Sequence, residues 1–222
     1  MRIKDRLSIG LGLIFLVYAC IKISGTNSSS IADLIPNPPK PIILIAVGDI
    51  NMGRHTGQQL IAGDIGFPFI YIADYLKSAD ITFGNLESQL AELGGKTQSP
   101  TNEYRFAGPP EGSLALDSAG FDVVSLANNH MWDYGFKALE QTFANLKQQH
   151  ILYAGSNNIP EQKYLPAIVE SHGQKIGFFA LTDLLNGYEK AGADEYVCMA
   201  TDTDIENLIN TIQQYKNQLD WI

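Results

Sequence analysis

The sequence predicts an α/β fold, a strand layer flanked by helices, on three observations. Short apolar, β-branched runs alternate with segments whose apolar residues recur at helical spacing. Three of those runs empty into polar clusters at their carboxyl ends, where open α/β sheets gather functional groups. A local pattern also recurs where a helix hands over to a strand. An Asp is followed by apolar residues in Asp80-Ile81-Thr82-Phe83, in Asp122-Val123-Val124 and in Asp220-Trp221-Ile222.

The first 21 residues are read as an address rather than as fold. Arg2, Lys4 and Arg6 precede an apolar run through Ile21, the form of a secretory signal. The run is short for a membrane span, which needs about 20 apolar residues. Its end, Val17-Tyr18-Ala19-Cys20, is similar to a bacterial lipoprotein signal in which Cys20 would be lipidated, although Tyr18 is bulky for its position. An uncleaved signal-anchor is the alternative. Both readings place the rest of the chain outside the cytoplasm, tethered to a membrane. Residues 22–41, with Ser28-Ser29-Ser30 and then Pro36, Pro38, Pro39 and Pro41, read as a flexible Ser/Pro-rich tether.

The body, residues 42–222, follows in order. Residues 42–47 form a continuous apolar run, suited to a strand buried on both faces, and empty into Gly48-Asp49-Ile50-Asn51. Residues 69–78 read as a helix with Phe69, Ile72, Ala73 and Leu76 on one face. Residues 80–83 are a short strand entering Gly84-Asn85-Leu86-Glu87, and residues 91–103 are a loop. A helix over 113–119 precedes a strand over 121–126, which runs into Asn128-Asn129-His130. Phe136, Leu139, Phe143 and Leu146 mark a helix ending near His150. Strands follow at 151–154, 167–170 and 175–181, the last two joined by a tight turn at His172-Gly173. The final helix carries Ile205, Leu208, Ile209, Ile212, Tyr215 and Leu219 on one stripe, with Thr203 and Glu206 spaced as a capping box. Asp220-Trp221-Ile222 opens another strand, so the domain is expected to be C-terminally incomplete.

Composition excludes several function classes. Fifteen basic residues against 24 acidic give a net charge of −9, which argues against a general nucleic-acid partner. Two cysteines, Cys20 and Cys198, cannot build a disulfide scaffold or a Cys-rich zinc site.

The chemistry is expected at the three loops. If their strands are neighbours, Asp49, Glu87, Asn129 and His130 converge, with Asp133 beyond. Carboxylates, an amide oxygen and an imidazole suit a divalent ion such as Mn²⁺, Mg²⁺ or Zn²⁺. Such ions can polarise a phosphoryl oxygen and activate water. Each motif also has a plainer explanation. Gly-Asp and Gly-Asn are ordinary turn pairs, whereas three polar residues directly after an apolar strand must find partners if buried. His55 follows the Asp49 loop and is a weaker candidate for the same site. His150 fits a cation at a helix C-terminus, and Asp183 and Asp194 fit loop solvation.

Residues 46–53, Gly84-Asn85-Leu86-Glu87, and residues 125–135 with their Asn128-Asn129-His130 core together resemble the CapA capsule-synthesis family. That family is associated with poly-γ-glutamate biosynthesis or export and is related to calcineurin-like metallophosphoesterases. The resemblance covers roughly residues 42–222. It implies a layered β-sandwich flanked by helices with a metal site at its loop edge. By position it makes Asp49, Glu87 and Asn129 metal ligands and His130 the proton donor to the leaving group, oriented by Asp133. Asn51, Asn85, Asn128 and His55 would support them. It also implies membrane attachment, capsule-synthesis proteins and an anionic polymer as partners. The chain departs from the superfamily pattern at Asn51, where a histidine is usual, and it lacks two later histidine motifs. An impaired, open site is therefore expected, and the alternatives are a non-catalytic tethered scaffold of capsule assembly or an inactive fragment.

Overall fold

The computed structural model describes residues 40–92, 104–186 and 192–222. The N-terminal address with Cys20, most of the Ser/Pro-rich tether and most of the 91–103 loop lie outside the described residues. In chain order the elements are β1 (Leu44–Ile50), α1 (Arg54–Ile61), α2 (Ala73–Leu76), β2 (Ile81–Leu86), β3 (Gln89–Leu90) and β4 (Ala107–Gly108). They continue with α3 (Glu111–Ala119), β5 (Val123–Ser125), α4 (Gly135–Gln148), β6 (Leu152–Ala154), β7 (Ala167–Ser171), β8 (Gln174–Phe178), α5 (Ala193–Tyr196) and α6 (Asp202–Tyr215).

A four-stranded parallel sheet in the order β1-β2-β5-β6 forms the centre. Side chains alternate across it, so the neighbours Val123 and Val124 enter different cores. Val124 joins Leu116 and Ala119 of α3 and Leu139, Phe143 and Leu146 of α4 in the larger, helix-covered core. Val123 joins Ile81, Ala154 and Ala167, where the antiparallel β7–β8 hairpin covers the sheet and Phe83 stacks on Phe178 at 5.5 Å. The result is a layered α/β fold: helices, parallel sheet, then a second β layer. A small parallel pair, β3 with β4, stands beside the main sheet.

The recurring Asp has one structural meaning. Asp80 accepts the Ile43 N–H through Oδ2 at 2.8 Å, and its own N–H donates to the Ile43 carbonyl at 2.9 Å. Asp122 does the same with Thr82, at 2.7 and 3.0 Å, and Asp220 with Lys175, both at 2.8 Å. Each Asp thus clamps the strand beside its own and starts a parallel rung. The third clamp lays Trp221 against Ile176 in a parallel bridge, so Asp220-Trp221 does open strand pairing, on the β8 side.

The structure revises several expected elements. β1 runs three residues further than the apolar run, so Asp49 and Ile50 are strand residues, with a bulge between Ala46 and Asp49. It is also the edge of the described sheet rather than a strand buried on both faces, and Ile43 and Leu44 are exposed. The expected helix over 69–78 shrinks to the single turn of α2, because residues 65–72 form consecutive turns that leave Ile70 and Tyr71 in solvent. The cap of α6 is Thr201 rather than Thr203. Thr201 is extended, and its hydroxyl accepts from the Asp204 N–H at 3.2 Å. The apolar stripe of α6 is half used: Leu208 is buried, while Ile205 and Ile209 are exposed.

Asp204 sits under that cap, paired with buried Lys163 at 3.0 Å and accepting from the Tyr164 hydroxyl at 2.7 Å and the Met199 N–H at 2.7 Å. Burial, and then the bond to Asp204, push the Tyr164 hydroxyl up to about 12. Burial pushes the Cys198 thiol up to about 11, so Cys198 is a protonated, unreactive core residue at neutral pH.

The Asp clamp is testable at Asp122, whose partner Thr82 is buried. Asp122→Ala removes the acceptor of the Thr82 N–H and is expected to cost about 1 kcal/mol, read by urea denaturation. Asp122→Asn keeps an acceptor oxygen there and is expected to lose less than half of that.

Candidate active site at the carboxyl edge of the parallel sheet

Parallel pairing puts the polar ends of β1, β2 and β5 side by side. Asp49 lies opposite Asn85, and Asn85 lies opposite Ser125. The Asn85 Nδ2 donates to Asp49 Oδ1 at 2.8 Å, and Asn85 Oδ1 accepts from Asn128 Nδ2 at 3.1 Å. Asn128, almost fully buried, also donates to the Leu86 carbonyl at 2.8 Å, and its Oδ1 accepts the His130 N–H at 3.0 Å. A continuous hydrogen-bonded chain therefore runs from the Asp49 carboxylate to the backbone of His130.

The imidazole of His130 is fixed from two sides. Its Nδ1 lies 2.6 Å from Asp133 Oδ2. An ionised carboxylate only accepts, so Nδ1 carries the proton and Nε2 is left for chemistry. Nε2 is 4.0 Å from Glu87 Oε1. Phe106 stacks on the ring at 3.8 Å, and its backbone N–H donates to Asp133 Oδ2 at 2.6 Å. Burial holds the Glu87 carboxyl above the usual carboxylate range. The Asp49 charge raises it further, against an opposing pull from His130.

Of the residues marked by the sequence, Asp49, Asn85, Glu87, Asn128, His130 and Asp133 come together here. Asn129 Nδ2 donates to Asn186 Oδ1 at 3.4 Å, and Asn186 in turn lies against His130, while Asn128 links the strands. Asn51 closes a local turn by accepting the Gly53 N–H at 2.8 Å. His55 is exposed on α1 and packs edge-on against Phe67.

Four residues that the motifs do not include complete the site. Asn186 donates its N–H to the Asn129 carbonyl at 2.9 Å, and its amide packs against the His130 ring, 2.8 Å from Nδ1. Arg105 grips the Asp133 carbonyl through Nε and Nη2 and lies over the Tyr134 ring at 4.4 Å. Gln89, fully buried, accepts the Tyr134 N–H at 2.8 Å and donates to the Gly135 carbonyl at 3.0 Å. Ser88 Oγ accepts the Met52 N–H at 2.9 Å and ties the first loop to the second.

Asp49 and Glu87 are the donors that could hold a cation, with His130 Nε2 beside them. The Asp49 charge raises the Glu87 pKa, so the two carboxylates repel each other. Among the described residues, however, no group of three or more His, Cys, Asp or Glu side chains is arranged to hold a metal ion. The donors fit a hard, oxygen-preferring ion in an open position better than a tetrahedral zinc.

Comparison with known proteins supplies the family. The family model described as bacterial capsule synthesis protein PGA_cap matches residues 43–220. The chain belongs to the PGA_cap family. Among its relatives is the capsule biosynthesis protein CapA of Bacillus anthracis, 29% identical over 150 residues, which are 66% of this chain and 36% of that protein. An uncharacterized protein of Sinorhizobium fredii is 27% identical over 152 residues, 67% of this chain and 30% of its own length. The PGA biosynthesis protein CapA of Bacillus subtilis is 24% identical over 139 residues, 62% of this chain and 36% of that protein. The chain therefore matches about a third of the length of these relatives. The family places the chain among CapA-type capsule biosynthesis proteins, and the α/β architecture, a parallel sheet flanked by helices, is consistent with a metallophosphoesterase-like fold.

The Gln89 clamp yields a prediction for this PGA_cap domain. Gln89→Leu leaves the Tyr134 N–H and Gly135 carbonyl without their partner and is expected to cost about 2 kcal/mol in urea denaturation. Hydrogen exchange at Tyr134 is expected to quicken, and unchanged exchange there would show that the clamp does not hold the loop.

Proposed function

We propose that this PGA_cap protein is an extracytoplasmic, membrane-tethered domain of capsule polymer synthesis or export with a divalent-metal phosphoesterase-type site. The observation that supports it best is the chain Asp49–Asn85–Asn128–His130–Asp133, which sets a carboxylate and an oriented imidazole on one edge beside Glu87. Poly-γ-glutamate, which the family resemblance implies, is the polymer proposed here, and one relative carries the name PGA biosynthesis protein. The basic and apolar start of the chain, with Cys20 as a lipidation position, supports the membrane tether. Proposed partners are other capsule-synthesis proteins and the anionic polymer; with a net charge of −9, polymer contact needs bridging cations or a local basic patch.

In this reading Asp49 and Glu87 hold the cation, with Asn129 adding its amide oxygen. A bound Mg²⁺, Mn²⁺ or Zn²⁺ would supply charge for a phosphoryl oxygen and acidify a water. The chain's own part is proton handling at His130 Nε2. With Nδ1–H held on Asp133, the protonated ring donates from Nε2 to the departing oxygen, and the neutral ring accepts a proton there. Asp133 fixes the tautomer and stabilises the imidazolium.

A non-catalytic scaffold is the second reading, favoured by the lack of a three-residue His, Cys, Asp or Glu donor group among the described residues. Hydrolysis of bis(p-nitrophenyl) phosphate with Mn²⁺ or Mg²⁺ separates the two. The enzyme reading expects turnover that EDTA abolishes, and losses of about a hundredfold in Asp49→Ala and His130→Ala. Absence of metal-dependent turnover, together with wild-type capsule levels in Asp49→Ala cells, would leave the scaffold.

A further inference from the structure

The two ends of the parallel sheet differ in kind. The carboxyl edge gathers carboxylates, amides and an imidazole, whereas the amino edge carries apolar side chains left in solvent. Ile43 and Leu44 at the start of β1 are exposed, and so are Ile70, Tyr71, Ile72 and Tyr75 in and before α2. Phe69 and Leu76 turn inward, Phe69 onto Phe121 at 5.2 Å, and the large side chains between them face outward. Tyr71 is 96% exposed, so the domain's own packing makes almost no use of its ring. Single exposed apolar residues are ordinary, but four within residues 70–75 form a patch of the kind that marks a contact surface.

The patch and the entry of the chain share this edge. The Leu76 carbonyl accepts the Thr82 hydroxyl at 3.0 Å, and Asp80 holds Ile43 by its two clamp bonds, so α2 stands at the start of β1 and β2. The residues that lead in from the Ser/Pro-rich stretch are pinned at the same end. The Lys40 carbonyl accepts from Gln174 Nε2 at 2.8 Å, and the Pro41 carbonyl faces the His172 ring at 3.1 Å. Lys40 and Pro41 also line an apolar cavity of about 400 Å³ together with Leu44 and Ile81.

We propose that the amino edge of the sheet, with Ile70, Tyr71 and Tyr75 at its tip, is the footing on which the domain rests against the lipid bilayer, so that Asp49 and His130 face away from the membrane. The proposal rests on the membrane-tethered reading and adds to it the surface and the orientation. Isoleucine supplies apolar area, and tyrosine pairs an apolar ring with a hydroxyl, the combination that suits the boundary between headgroups and acyl chains. The charges within the patch, Asp74 and Lys77, are of opposite sign, and the chain as a whole is at −9. Attraction to anionic lipid is therefore weak, and apolar burial carries the contact. A domain held on a short tether meets the bilayer at high local concentration, so a modest apolar surface suffices. The six residues of β2, at about 3.3 Å each, set the polar edge about 20 Å further out, where a soluble polymer can reach it.

The test places the photoreactive p-benzoylphenylalanine at position 71 of the full chain, and in a second protein at exposed Lys137, near the start of α4 on the carboxyl side. Both are mixed with phosphatidylcholine vesicles, with and without phosphatidylglycerol, sedimented, irradiated and analysed by mass. Lipid adducts are expected at 71 and not at 137, with equal yield in both lipid mixtures and in 1 M NaCl. Adding Ile70→Ser and Tyr75→Ser is expected to lower the yield at 71 severalfold while circular dichroism stays unchanged. Sedimentation with the vesicles but equal adducts at 71 and 137, or none at 71, would keep the tether and overturn the footing. Adducts at 71 that join a second protein copy instead of lipid would also overturn it. A full chain that stays in the supernatant would remove the tether and the footing together.

Discussion

A single buried carboxylate, that of Asp133, decides where the groups of the polar edge sit. A carboxylate this deep is tolerated only where donors surround it. The Phe106 N–H and the His130 ring supply two short bonds, and Arg105 holds the carbonyl of the same residue. Those partners come from separate stretches of chain, so satisfying one charge brings β4, the 128–135 loop and the imidazole to a common point. The orientation of His130 follows, and with it the plane of Phe106. Gln89 and Thr142 extend the same lock, since Thr142 bonds the Leu90 N–H at 2.8 Å and joins β3 to α4.

The parallel sheet sets the other coordinate. Each Asp clamp fixes the start of a strand against its neighbour, and a fixed start determines which residues meet at the far end. From the Asp122–Thr82 clamp, three rungs bring Asn85 opposite Ser125. On the other side Asp49 reaches Asn85 only because β1 carries a bulge after Ala46. Without that extra residue the side chains beyond it would fall on the opposite face, since strand side chains alternate. The meeting of Asp49 with Asn85 is thus a consequence of register as well as of motif.

Much of the fold was legible in the sequence because apolar periodicity and strand-end polar clusters carry direct physical meaning. Val123 and Val124, Leu139 and Leu146 are core residues where the pattern places them. The order of the strands was not legible, and so β1 read as buried on both faces although it lies at an edge. The aromatic run at Phe69 misled because a helical spacing of apolar residues is equally compatible with a series of turns that buries only Phe69. Three strand-end motifs located Asp49, Glu87, His130 and Asp133. Gln89, Phe106 and Asn186 were invisible for a different reason: the role of each exists only through a contact with a distant segment. The link that Asn128 makes to Asn85 and to the Leu86 carbonyl is of the same kind. Two adjacent amides are equivalent in sequence, and the backbone turn after β5 alone decides which one faces β2.

The charge distribution of the edge ties the proposed cation and the proposed phosphoryl site to each other. Asp49 and Glu87 repel, and Glu87 is held above the usual carboxylate range by burial and by that neighbour. A divalent ion between them relieves the repulsion and leaves the edge less negative for an arriving anion. A phosphoryl anion at the same edge makes it more favourable for the ion. Under linkage the two effects are equal in free energy, so each ligand must strengthen the other by the same factor. An edge with three acidic side chains is therefore expected to hold an anion more tightly with the cation present than without it, which is how its acidity is reconciled with an anionic substrate. The open donor set has the same logic: an ion held by few protein ligands keeps positions for the oxygens of the group it helps to bind.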